Sequence, residues 1–336
     1  MEFLGSFIII IKFLIVLVLG SYHMLEASPL SITTDKEALI SFKSQIFIEH
    51  PNNPLSTWDQ NLSPCNWSGV SCNELGQRVV GIDLSGLRMT GSISPHIGNL
   101  SFLRSLELQN NQLNGELPDQ LGDLVRLRTL NVSFNSIGGV IPSNISQCKD
   151  LRILDLMQNQ ISGRIPIEIS YFTQLQVLNL ARNQLSGDLS SFLSNISSLV
   201  DLNLGTNELG GPIPSDLGHL MNLKFLDLTI NNLTGNLSRV LTKLYMGGND
   251  IYGTIPSSIG ELRALDLLNL SYCSLSGEIP SEIGLLNELR VLGLANNKFS
   301  GELPNSLGNL QLLTRIDLSK NKLVGSMPNT LGTSKI

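Results

Sequence analysis

From residue 79 onwards one template, L-x-x-L-x-L-x-x-N-x-L-x-G-x-I-P, recurs eleven times, starting at Val79, Leu103, Leu127, Leu151, Leu175, Leu199, Leu223, Leu241, Leu265, Leu289 and Leu313. Successive starts lie 24 residues apart except for the 18 between Leu223 and Leu241, so the seventh repeat is short by six residues. The same Gly slot is filled in every copy, from Gly91 to Gly325. A register kept over such a length restricts the chain to a stacked array in which each unit touches only its neighbours.

Each repeated position has a physical task. The leucines alternating at positions 4 and 6 predict a short strand per repeat, pairing in parallel with its neighbours into a curved sheet that has one face on the core and one in solvent. Asn stands at the ninth position in nine of the eleven repeats, with Leu87 and Cys273 as the exceptions. It is expected to bond turn groups that would otherwise be buried unpaired, forming an internal ladder. Gly at position 13 allows a turn closed to other residues, and Pro at position 16 fixes φ where the chain runs extended. Ser94, Ser190 and Ser238 replace that Pro, which predicts a looser back at those repeats. One repeat cannot bury enough apolar surface to fold alone, so both ends of the array require caps.

Residues 28–78 read as the N-terminal cap. Thr34-Asp35-Lys36-Glu37 reads as a capping box, and Ala38, Leu39, Phe42 and Ile46 fall on one face of the helix that follows. Both tryptophans, Trp58 and Trp67, lie here, as do Cys65 and Cys72, close enough for a disulfide contributing roughly 2.5 kcal/mol. The other two cysteines are read as free: Cys148 fills a slot elsewhere occupied by a buried Leu, and Cys273 takes the Asn slot. At the far end the pattern fails after Leu331-Gly332 with no cap, leaving Leu313, Ile316, Leu318, Leu323 and Met327 facing water on one side. The expectation is the front part of a longer protein or a truncated product.

Residues 1–27 read as a secretory signal, with Lys12 before the apolar run Phe13 to Gly20 and cleavage near Ala27. A membrane anchor is the competing reading and loses because Lys12 sits mid-span, at a cost of ~2.5–3.5 kcal/mol. Export agrees with nine N-x-S/T glycosylation acceptors: Asn61, Asn66, Asn99, Asn131, Asn144, Asn195, Asn232, Asn236 and Asn269.

A net charge of −6 with no basic cluster excludes nucleic acid as a partner. Four histidines, two of them, His96 and His219, on the back of the coil, form no nucleophile–base set, and there is no phosphate loop, kinase catalytic loop or metal-ligand cluster. The chain is therefore expected to be no enzyme and to need no cofactor or metal.

The template is similar to the plant-type extracellular leucine-rich repeat, over residues 33–336. The cap resembles that of plant leucine-rich-repeat receptor-like kinases through Thr34 to Lys43, Leu55-Ser56-Thr57-Trp58 and Cys65 to Cys72, and looks closest to the group holding immune pattern receptors. The fold class so implied is an α/β solenoid: a right-handed leucine-rich-repeat superhelix with a parallel β-sheet on its concave face and an N-terminal helical cap. Residues 79–336 would be its eleven repeats. The resemblance also implies an ectodomain that binds a peptide or microbial ligand on its inner face, a membrane span and a cytoplasmic kinase. The last two are not in this sequence, so membrane attachment would come only through a segment outside it.

Binding on such a fold belongs on the concave face, whose side chains are free of the core. Positions 3, 5, 7 and 8 of the repeats supply the candidate residues Phe134, Met157, Arg182, Phe225, Asp227, Ile230, Tyr245 and Tyr272, with Asp201 and Lys243 beside them. Aromatic residues and Arg dominate binding hot spots. Sugars on Asn131 and Asn269 would leave repeats 4 to 8 as the open groove. The reading is a ligand-recognition domain for a peptide or protein, with a co-receptor kinase as a second partner, in the apoplast or, through an absent span, at the cell membrane. The alternative is a secreted inhibitor of a foreign enzyme, similar to the polygalacturonase inhibitors, or a receptor decoy.

Overall fold

The computed structural model describes residues 31–48, 53–189, 193, 195–214, 217, 220, 222–234 and 243–328. The expected signal segment, Asn236, Ser190, Ser238 and the tail after residue 328 lie outside them.

The chain enters through helix α1 (Ile32–Ser44), whose apolar face, Ala38, Leu39 and Phe42, is buried against the first repeat. Its start lies earlier than the sequence pattern suggests. Ser31 is the N-cap, and the reciprocal pair is Ser31 with Thr34: Thr33 N–H donates to Ser31 Oγ at 3.3 Å, and Ser31 N–H donates to Thr34 Oγ1 at 3.1 Å. Asp35 is thereby released from capping and faces inward, fully buried. Ile46 leaves the helix for a short strand, Ile46–Phe47, that pairs antiparallel with Thr90 and Gly91.

Trp58 and Trp67 stack at 5.2 Å between ring centroids beneath the cap. Each indole N–H finds a carbonyl, Ser68 at 2.9 Å and Asp59 at 3.2 Å, as a buried Trp requires. The Cys65–Cys72 disulfide is formed, with Cα atoms 5.5 Å apart. Cys72 ends the strand Val70–Cys72, which pairs antiparallel with Val79–Asp83 and covers the edge of the first repeat.

Beyond that edge strand, all neighbours in the twelve-stranded sheet are parallel. The register is that of the repeat: Leu106, Leu130 and Leu154 are in line, and Leu226, Leu244 and Leu268 are in line across the shortened seventh repeat. The missing residues thus come from the back, and the sheet runs through unbroken. Position 4 is buried while positions 3 and 5 are open, as in the strand Phe225–Asp227.

The Asn ladder holds. Asn135, for example, donates to Leu108 O and Val132 O at 3.0 Å and accepts from Leu113 N–H at 2.9 Å, tying its own repeat to the one before. Cys273 breaks the series: its Sγ makes only long contacts to Met246 O at 3.5 Å and Ser271 O at 3.8 Å. Cys148 is fully buried and its Sγ donates to Leu121 O at 3.2 Å; burial pushes its thiol pKa up to about 12.

Two features differ from the sequence expectation. A second set of short parallel strands forms around positions 10 to 14, including Gln112–Asn114, Gln184–Asp188 and Lys298–Glu302, where the left-handed Gly turns the chain onto its flank. Ser94 tightens the back instead of loosening it: it is fully buried, caps the turn that follows and lies 3.5 Å from Ser41 Oγ of α1. At the far end Leu313 is buried, Ile316, Leu318 and Leu323 are half-buried, and Met327 is 60% exposed. Leu313 escapes exposure because it packs back towards the preceding repeat. Among the described residues no helix is long and apolar enough to cross a membrane.

Candidate ligand-binding face

The concave sheet sorts the candidate residues by their place in the repeat. Position 5 is chiefly structural. Its side-chain oxygen accepts the N–H of position 7 in Asp83 with Ser85, Asn131 with Ser133, Asp155 with Met157, Asp227 with Thr229 and Asn269 with Ser271, at 2.9–3.1 Å. Asp227 also accepts Thr229 Oγ1 at 2.7 Å, so this candidate holds the turn as well as facing the groove. Met157, the partner of Asp155, is half-buried.

Position 8 supplied four of the sequence candidates, but the repeat pattern did not show its backbone conformation. Its backbone is left-handed throughout, with Gly86 and Gly248 at φ 68° and 72° and side-chain-bearing residues in the other repeats. Phe134, Arg182, Ile230 and Tyr272 all sit here, at φ 55°, 55°, 51° and 60°. For β-branched Ile230 that conformation is a genuine outlier, and such strain persists only where the surroundings enforce it. The strain places apolar side chains on the rim of the concave face: Phe134 is 39% exposed, Ile230 58% and Tyr272 65%. The signal available in the sequence was the glycine pair Gly247-Gly248, where the second Gly falls on position 8.

Those glycines line a cavity on this face. It has a volume of about 930 Å³ and is lined by Ile230, Tyr245, Gly247, Gly248, Leu267, Asn269, Tyr272, Val291, Gly293 and Arg315, with Asp317 at its end. The ring of Phe225 lies 5.6 Å from that of Tyr245, on the side of the earlier repeats. The structure therefore brings together Phe225, Ile230, Tyr245 and Tyr272. It leaves Phe134, Met157 and Arg182 on repeats 3 to 5, outside this cavity, where Arg182 donates to Gln158 Oε1 at 3.4 Å. This space lies over repeats 7 to 11, where Gly at positions 247, 248 and 293 removes side chains, and Asn269 is part of its lining.

Electrostatically the earlier repeats are acidic. Burial raises Asp155, and burial together with Asp155 and Asp227 raises Asp201. Burial also raises Glu107, with Asp83 and Asp155 adding to it against hydrogen bonds from Ser105 and Asn131. Tyr245 is raised by burial and by Asp227 and Asp266. Asp317 goes the other way, lowered by the Ser319 hydroxyl and N–H.

Comparison with known proteins places this geometry. The leucine rich repeat N-terminal domain matches residues 32–73, a leucine-rich repeat region matches 78–209, and single leucine rich repeats match 240–262, 264–286 and 288–310. A receptor-like protein kinase of Arabidopsis thaliana is 51% identical over 78 residues, which are 23% of this chain and 8% of that protein. The plant peptide hormone receptor RGFR1 in complex with RGF2 superposes with a TM-score of 0.66 and 31% identity, over 75% of this chain and 45% of that one. The PEPR1–AtPEP1 structure gives a TM-score of 0.66 and 30% identity over 90% and 50%. The chain thus spans about half or less of the receptors it matches. With cap and repeats together matched over most of its length, it belongs to the leucine-rich-repeat family and resembles the N-terminal part of plant receptor-kinase ectodomains.

Proposed function

We propose that the chain is the extracellular ligand-recognition part of a plant leucine-rich-repeat receptor kinase, or a truncated form of one, and takes a peptide along its concave face. The observation that carries this is the apolar rim held in left-handed backbone, Ile230 above all, next to the paired rings of Phe225 and Tyr245. Strain and exposed apolar surface both cost stability, and a groove that keeps them together on a rigid sheet is built for contact. A similar plant peptide hormone receptor, RGFR1, was solved in complex with RGF2, and the similar PEPR1 with AtPEP1.

On this reading the chain recognises and does no chemistry. Any signal passes through a kinase, either in a segment outside this sequence or in a co-receptor partner, and the ligand is met in the extracellular space. The test is to immobilise the secreted chain, expose it to an extracellular peptide fraction, and compare it with the Phe225→Ala/Tyr245→Ala double variant. Loss of the enriched peptides in the variant, at equal secretion, supports the proposal, whereas identical enrichment rejects it.

A further inference from the structure

Asn131 and Asn269 hold the same fifth position in N-x-S triplets, yet their surroundings differ. The Asn131 side-chain oxygen accepts both the N–H and the hydroxyl of Ser133. Glu107 and Asp155 pair with Asn131 on either side. Asn269 keeps only the turn bond from Ser271 N–H, at 3.0 Å, and among the described residues its Nδ2 donates to no protein group. Its strand neighbours are Tyr245 and Gly293, and Gly247 lies alongside. A Cβ at 293 would come within 2.9 Å of Asn269 Oδ1, so the glycine is what leaves this side chain room.

We propose that the part of the concave-face cavity over repeats 9 to 11 is the seat of the chain's own N-linked glycan on Asn269, with its first sugars lying against Tyr272. A sugar ring has an apolar C–H face and a rim of hydroxyls. A flat tyrosine ring with one wet end matches both. Tyr272, 65% exposed on a left-handed backbone at the rim, would otherwise leave its ring in water. In the transfer, Asn269 Nδ2 attacks the anomeric carbon of a lipid-linked oligosaccharyl diphosphate. The N–C bond forms, the C–O bond to the diphosphate breaks, the lipid diphosphate leaves with the electron pair, and one amide proton is lost; nothing is oxidised or reduced. With the glycan in place the ligand surface of the concave face ends at the eighth repeat.

The experiment is site-resolved glycopeptide mass spectrometry on the full chain secreted from plant cells, with and without an endoglycosidase that removes only oligomannose glycans. Asn269 is expected to be occupied. The Asn269 glycan should stay oligomannose, because sugars packed on the ring are shielded from trimming, while those on exposed Asn99 and Asn144 mature. Tyr272→Ala, at an exposed position that the fold does not need, should convert the Asn269 glycan from endoglycosidase-sensitive to resistant. A bare Asn269 beside occupied Asn99 and Asn144, or a fully matured glycan on Asn269 in the unaltered chain, would each overturn the assignment. Sugar on no acceptor at all would overturn it together with the secretory reading.

Discussion

Arg78 grips Asp35 through two donors, Nε at 3.0 Å and Nη2 at 2.8 Å, with both side chains out of solvent. Asp35 Oδ2 also accepts the N–H of Val79 at 2.8 Å, the first residue of the first repeat. Arg78 in turn lies 4.1 Å from the centre of the Phe102 ring and donates to Ser101 at 2.9 Å. One carboxylate thus joins the cap helix to the start of the solenoid.

Removing one member of a buried pair leaves the other charged and uncompensated, which costs about 3–5 kcal/mol. Asp35→Ala should lower the unfolding free energy obtained from denaturant melts by that amount and expose the flank of the first repeat. Faster amide exchange in Leu106 and its strand neighbours is the local check, and unchanged exchange would refute the role as a lock.

Restoring the ladder is the complementary case. Cys273→Asn puts the usual side chain where two weak sulfur contacts now stand and supplies an acceptor for Ile251 N–H, as Asn297 does for Leu275 at 3.1 Å. A gain of about 1 kcal/mol is expected in chemical denaturation. A loss would mean that the turn has adapted to cysteine.

Ile230 ties stability to recognition. Ile230→Asn places a residue tolerant of left-handed backbone at φ 51° and should stabilise the fold by about 1 kcal/mol. Peptide binding should weaken in the same variant. A stabilised variant with unchanged affinity would separate the strain from the site.

The acidic strip gives a pH signature. Asp155, Asp201 and Glu107 are raised in the native state, so the folded chain binds more protons than the unfolded one between the ordinary carboxylate range and the raised native values. In that window stability falls as pH rises, then levels off once the native groups are ionised. Asp201→Asn, at a position with no turn to cap, should flatten the fall and raise stability at neutral pH by no more than about 1 kcal/mol. Urea melts at pH 4, 5, 6 and 7 measure it, and an unaltered slope would count against the repulsion.

The two free thiols should also separate. With its pKa near 12, a carbonyl partner and no exposed surface, Cys148 should stay unmodified by an aromatic disulfide reagent at pH 8 until the chain unfolds. Half-buried Cys273 should react first.

Leucines at positions 4 and 6, the Asn ladder and the left-handed Gly of position 13 were legible because each is a local requirement repeated many times, and the Cys65–Cys72 bridge because its cysteines are only seven residues apart. Local pattern also placed a helix near residue 34, but not its cap: Ser31 against Thr34 is decided by where α1 packs, which frees Asp35 to reach Arg78, 43 residues away. The candidate face was legible only as a column of positions. Which of those residues meet depends on parallel register, which sets Tyr245 opposite Asp227 across the 18-residue step and opposite Asn269 on the next strand, with its ring beside that of Phe225, and on glycines that remove side chains between them. The sequence by itself determined the repeat, the ladder and the stacked architecture, since these follow from burying one periodic face. Only the tertiary structure decided where the concave face opens and which side chains it leaves strained and exposed, because those depend on contacts between repeats that no single repeat contains.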